Sequence, residues 1–121
     1  MKITTTELEK LFILGLKHYD VEVKRCKVLI KDDIYLYVLG TYHRMSVMAD
    51  IKLTYDLQDR KTKLLLDGEF HYGFFNLNIM KILQQYVDIP YIKISQDDII
   101  ILHPWIDKIQ ITPNEIEISL V

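Results

Sequence analysis

The chain has 121 residues, the usual length of one domain, and can bury an apolar core without disulfide bonds or metal ions. Cys26 is the only cysteine, which excludes an internal disulfide bond and argues against a disulfide-stapled secreted scaffold. The formal net charge is -2, and the basic residues form no concentrated stripe. This composition argues against nucleic acid as a partner.

The N-terminal segment "MKITTTELEKLFILGL" has neither the form of a signal peptide nor that of a membrane span. Two glutamates precede an apolar run of six residues, and Gly15 interrupts that run. No linker or low-complexity tract divides the chain. We therefore expect a cytoplasmic protein with no transmembrane segment and one domain spanning residues 1–121.

The first predicted element is a helix from about Thr5 to His18. Thr6 and Glu9 have the spacing of a capping box, and apolar residues follow at helical intervals. From Val21 the apolar period changes to two, which predicts a strand with a bulge near residues 24–25.

Three strands are predicted next. "DIYLYVLGTYHR" is one, and "MSVMADIKLTYD" alternates most clearly, with Val47, Ala49, Ile51, Leu53 and Tyr55 on one side. The strand after "LQDR" contains Asp67-Gly68, which is either a hairpin turn or a kink. We favour one long kinked strand, because the alternation keeps its phase through Gly68.

The second predicted helix is capped by Asn76 or Asn78 and ends before Pro90. Four short strands follow, at about residues 91–95, 99–103, 108–112 and 115–121. The chain is thus predicted to be α+β: a largely antiparallel sheet of about seven to eight strands with an N-terminal helix and a mid-chain helix packed on it.

One pattern occurs three times, as "LIKDDIYL", "ISQDDIII" and "ITPNEIEI". Pro113 and Asn114 in the third copy suit the central positions of a type I turn. Such a corner would place Ile111 opposite Ile116, and Ile94 opposite Ile99 in the second copy. We interpret all three copies as hairpin corners rather than as acidic metal loops, which need more oxygen ligands at set spacing.

The weak candidates for catalysis are Asp50, Asp67, Glu69 and His71. If Leu53 opposes Leu66, these side chains lie on one face of a hairpin, where they could form an acid-base or metal cluster. All four histidines fall at strand ends or on solvent-facing positions, without the local spacing of zinc ligands. We therefore predict no enzyme, no cofactor and no metal site, with the cluster as the weakest alternative.

The apolar runs carry the strongest functional signal. "IYLYVL", "LLL" and "IIIL" do not alternate, so both faces of these strands need cover. The two helices can cover one face, and the other needs a second sheet, another subunit or an apolar ligand. The predicted ligand or partner contacts are Tyr35, Tyr37, Ile100, Leu102 and Trp105.

Two hypotheses follow for a non-enzymatic protein. In the first, a curved sheet binds a hydrophobic or lipid-like small molecule. The order of helix, long strands, helix and further strands resembles, in layout only, small lipid-binding domains such as the tubular lipid-binding class. In the second, the surplus apolar surface makes a homo-oligomer or docks another protein, so that the chain is a structural or accessory interaction module.

Overall fold

The computed structural model describes residues 1–121, which form two helices and ten strands. The helices are α1 (Thr5–His18) and α2 (Ile79–Tyr86), and neither is long and apolar enough to cross a membrane. The strands are β1 (Lys2–Thr4), β2 (Glu22–Ile30), β3 (Ile34–Tyr42), β4 (Met45–Gln58), β5 (Lys61–Tyr72), β6 (Phe75–Asn76), β7 (Ile92–Ile94), β8 (Ile99–Leu102), β9 (Ile106–Thr112) and β10 (Glu115–Leu120). The α+β prediction is confirmed.

Helix α1 has the predicted bounds but a different cap. The capping box joins Thr4 and Glu7: the Glu7 amide donates to Thr4 Oγ1 at 3.2 Å, and the Thr4 amide donates to Glu7 Oε1 at 3.2 Å. The predicted box of Thr6 and Glu9 is therefore wrong. The N-cap thus lies two residues before the predicted one, and at the start of the helix Thr5 N donates a hydrogen bond to the carbonyl oxygen of Asn114.

Helix α2 begins as predicted at one of its two candidate caps. Asn78 accepts hydrogen bonds from the amides of Met80 and Lys81 at 3.0 and 3.2 Å. Met80 is the one buried side chain of this helix.

Seven strands form the larger sheet, in the order β2-β3-β4-β5-β8-β7 with β6 beside β5, and every pairing is antiparallel. The predicted bulge is present, as the register of β2 shifts between Val23 and Arg25. Strand β5 runs unbroken through Gly68, which has a φ of 149°. Asp67-Gly68 is thus a kink, and the hairpin alternative is excluded.

The larger sheet has an apolar inner face and a mixed outer face. The inner-face cluster is Val38, Ala49 and Ile51, on the two central strands β3 and β4. Leu16 of α1 and Ile79 of α2 pack against this cluster, so both helices lie on the inner side. The outer face carries charged residues together with exposed apolar side chains such as Leu29 and Leu65.

The smaller sheet has the order β1-β10-β9. Ile111 lies opposite Ile116, and in the larger sheet Ile94 lies opposite Ile99, as the repeated corner predicts. The loop at Pro113-Asn114 is tighter than expected, because Thr112 already pairs with Glu115. Asn114 has a φ of 75°, which belongs to the third position of a type II turn, so the predicted type I turn is wrong.

Candidate functional site

The clearest candidate site is an open recess on α1. It has a volume of about 400 Å³, and we call it the α1 recess. Six residues spaced along one side of the helix line it: Leu8, Leu11, Phe12, Gly15, Leu16 and Tyr19. Because residues three, four and seven apart share one face of a helix, the sequence pattern that predicts α1 also produces this apolar lining.

The helix contacts the sheet along only part of its apolar circumference. No side chain of α1 is buried, although Leu16 reaches the inner-face cluster. Leu11 is 56% exposed and Leu14 is 64% exposed. An amphipathic helix normally directs such leucines into a core, so the exposed side of α1 lacks a packing partner within the chain.

Gly15 forms the low point of the α1 recess. No heavy atom lies within 4 Å of the position that a Cβ atom would occupy there. The leucine and aromatic side chains around Gly15 rise above it, so the helix presents both a hollow and projections on the same face.

One pKa shift accompanies the packing of α1 on β2. Cys26 lies half-buried beside the helix, and burial raises the pKa of its thiol above the ordinary value of 9.0. The negative charge of Glu9 on α1 raises that pKa further. The thiol is therefore a packing group and not an activated nucleophile.

A second, smaller recess lies on the outer face of the larger sheet. Its volume is about 220 Å³, and its lining includes Lys27, Lys31, Tyr35, Tyr37 and Asp50. Two of the predicted contact residues, Tyr35 and Tyr37, are therefore side by side on β3. This volume is below the range of about 300 to 1,000 Å³ that is usual for small-molecule sites.

The other predicted contact residues lie elsewhere. Ile100 and Leu102 are half-buried on β8, and strands β4 and β5 separate β8 from β3. Trp105 lies in the connection after β8, is 49% exposed, and packs edge-on against Tyr91 with ring centroids 5.1 Å apart. The five residues predicted from sequence are thus distributed over three places and do not form one site.

The β4-β5 hairpin, which carries Asp50, Asp67, Glu69 and His71, has the predicted register, but these side chains do not form a metal-binding cluster. Asp50 opposes Glu69 and Lys52 opposes Asp67. His71 Nε2 lies 3.3 Å from Glu69 Oε2, whereas Lys52 pairs with Asp33 across the neighbouring strand at 3.4 Å. No three His, Cys, Asp or Glu side chains come close enough together to hold a metal ion.

His103 is a buried polar residue at the end of β8. It is 5% exposed, and Nε2 lies 2.8 Å from Thr62 Oγ1 while Nδ1 is buried without a partner. His103 directly follows the last residue of β8, which agrees with its predicted place at a strand end, and it is buried because residue 103 continues the parity of Ile99 and Ile101. Both isoleucines face the inner side, and this parity is the signal that could have located the histidine.

Comparisons with protein-family models, with curated proteins and with solved structures find no match for this chain.

Proposed function

We propose that the chain is a non-enzymatic interaction module that works by burying the α1 recess against another protein. The supporting observation is the accessible surface area of 8562 Å² for a chain of 14.4 kDa. A compact monomer of that mass has about 6,800 Å², so this chain exposes about 1,700 Å² more. That surplus is spread over the whole chain, and Leu11, Phe12 and Tyr19 of the α1 recess are among the exposed large apolar side chains that contribute to it.

The recess on the outer face of the larger sheet is less suited to burial against another protein. The outer recess is small and carries two lysines and an aspartate, which would have to be desolvated on burial. The α1 recess is lined only by apolar groups, a glycine and one tyrosine. Burying it contributes a favourable free energy of about 25 cal/mol per Å² of apolar surface and leaves no charged group without solvent or a partner.

Photo-crosslinking in the cells that naturally make the protein tests this proposal. A benzophenone amino acid placed at Leu11 should yield covalent protein adducts, since this position faces the partner. The same amino acid at Lys10, on the other side of α1, is the matched control and should yield few. Equal yields at the two positions, or no protein adduct at Leu11, would contradict the proposal.

A hydrophobic small molecule is the second candidate occupant. The α1 recess of about 400 Å³ falls within the volume range of ligand sites, although it is open to solvent on one side. Native mass spectrometry of the purified chain would then show an adduct of a few hundred daltons, which Leu11→Glu should remove. A ligand-free mass together with no uptake of a fluorescent fatty acid would eliminate this candidate.

A further inference from the structure

We infer that the outer recess, which lies on the outer face of the larger sheet, binds a small aromatic carboxylate. Helix α1 packs on the inner face, so this site is separate from the α1 recess and does not depend on the proposed function. Three features support the inference: unpaired lysines at the edge of the sheet, tyrosine rings beside them, and carboxylates on the strands that follow.

The two lysines of the outer recess hold the carboxylate of the ligand. Lys27 lies on the edge strand β2, Lys31 directly follows that strand, and neither side chain forms an ion pair within the chain. Lys52 on β4, by contrast, is already paired with Asp33. An ammonium group donates charge-assisted hydrogen bonds to a carboxylate, so two unpaired lysines at one recess favour an anion.

The two tyrosines of the outer recess provide the contact for the ring. Tyr35 and Tyr37 are two residues apart on β3, so both side chains project from the outer face. Tyr37 lies opposite Lys27, and Tyr35 lies opposite the exposed Leu29. Aromatic rings pack well on other rings and on aliphatic side chains. A planar ring that carries a carboxylate at one end therefore matches this arrangement of apolar and cationic groups.

The strands that follow β3 carry the opposite charge and thereby orient the ligand. Asp50 on β4 lies opposite Tyr37 and lines the far side of the outer recess, and Glu69 lies opposite Asp50 on β5. Adjacent strands are about 4.8 Å apart, which places Asp50 about 10 Å from Lys27 across the tyrosine. The carboxylate of the ligand therefore points towards β2 and away from β4.

The volume of the outer recess limits the size of the ligand. At about 220 Å³ it is below the usual range for drug-sized molecules, but it has room for a single ring with its carboxylate. A ligand of about ten non-hydrogen atoms in such an open site should bind with a Kd of about 1 mM. Benzoate is the simplest probe with this chemistry.

Amide NMR spectroscopy of the full chain, titrated with benzoate, tests the inference. We expect saturable shifts centred on Lys27, Leu29, Tyr35 and Tyr37. Benzamide has the ring without the charge, and acetate has the charge without the ring, so each should bind at least about fivefold more weakly. Benzoate shifts spread evenly over the surface, or benzamide binding as tightly as benzoate, would overturn the inference.

Three variants test the role of charge in the same titration. Lys27→Gln should weaken benzoate binding by about fivefold, because it removes a cation close to the carboxylate. Lys93→Gln is the matched control at the opposite edge of the same sheet, on β7, and should leave the Kd unchanged. Asp50→Asn should tighten binding by about twofold, since it removes a repulsion across about 10 Å. Equal Kd values for Lys27→Gln and Lys93→Gln, or weaker binding in Asp50→Asn, would contradict the proposed orientation and the site itself.

Discussion

Gly15 and Gly68 occupy opposite environments, although both lie inside regular elements. Gly15 is in α1 with open space around its Cβ position, whereas a Cβ atom on Gly68 would collide with the carbonyl oxygen of Asp50 on β4. Gly68 also has a φ of 149°, which residues with a side chain rarely adopt. The two glycines therefore form a matched pair for the same substitution.

Alanine at these positions should have effects of opposite sign. Gly15→Ala should raise the free energy of unfolding by about 0.5 to 1 kcal/mol, since alanine favours the helix. Gly68→Ala should lower it by about 2 kcal/mol or more, because β4 and β5 must separate locally. Urea unfolding of the two purified variants and the unmodified chain measures both effects. A stabilising Gly68→Ala would contradict the close approach of β4 and β5.

Thr62 and His103 form a second testable pair. Thr62→Val removes the single hydrogen-bond partner of a buried imidazole and should cost about 1 to 3 kcal/mol. His103→Phe removes both buried ring nitrogens, so adding Thr62→Val to it should cost much less than Thr62→Val alone. A double-mutant cycle by urea unfolding gives the interaction free energy between the two side chains. Additive effects would show that the two side chains do not depend on each other.

The raised pKa of Cys26 predicts slow thiol chemistry. Its thiolate fraction at pH 8 is lower than that of an ordinary cysteine, so the folded chain should react slowly with iodoacetamide. Glu9→Gln removes one of the two causes and should speed the reaction, while Glu22→Gln is the exposed control. Because the unfolded thiol ionises first as pH rises through about 9, this residue also favours unfolding above that pH. A Glu9→Gln variant with an unchanged rate would contradict the charge effect.

Helix caps and strand pairings show how far the secondary-structure elements can be predicted from the sequence. Parity placed Leu53 opposite Leu66 and Ile111 opposite Ile116, because a slip by one residue would expose the apolar side. The cap of α1 was misplaced because Thr4 with Glu7 and Thr6 with Glu9 have the same capping-box spacing. Strand β1 was missed for a different reason: it is a strand only because it pairs with β10, which lies more than a hundred residues away in the sequence.

The exposed fraction of α1 could not be predicted from the sequence either. Its apolar spacing correctly predicted an amphipathic helix, but spacing does not say how much of an apolar face the rest of the chain covers. That coverage depends on where the helix crosses the sheet, and here only Leu16 reaches the inner-face cluster. For the same reason the predicted contact residues, chosen from apolar runs in strands, did not include Leu11.

Asn78 is the residue on which α2 most depends. A helix of eight residues is too short to be stable alone, and its first amides need the Asn78 side chain. Asn78→Ala should lower the free energy of unfolding by about 1 kcal/mol. Asn76→Ala, an exposed position in β6, serves as the control and should have less effect. Equal losses in chemical denaturation would show that the cap does not stabilise α2.

At the scale of the whole molecule, the ratio of surface to core is the dominant feature. Ten of the 121 residues are buried, so most apolar side chains of the chain keep some contact with solvent. If another protein covers the α1 recess, as we propose, the apolar area it buries should add to the stability of the fold, since burial of apolar area is the main force that opposes chain entropy. Under this proposal, folding and association should be coupled.

Self-association is the form of such coupling that would make thermal stability depend on protein concentration. If two copies pair through α1, mass action should raise the melting temperature by about 5 °C between 1 and 100 µM. Leu11→Glu should abolish this dependence, while Lys10→Gln should retain it, because only the first substitution puts a charge into the paired surface. Differential scanning calorimetry over that range gives the measurement. A melting temperature that stays constant in the unmodified chain would mean that one copy is stable with its α1 recess open to water.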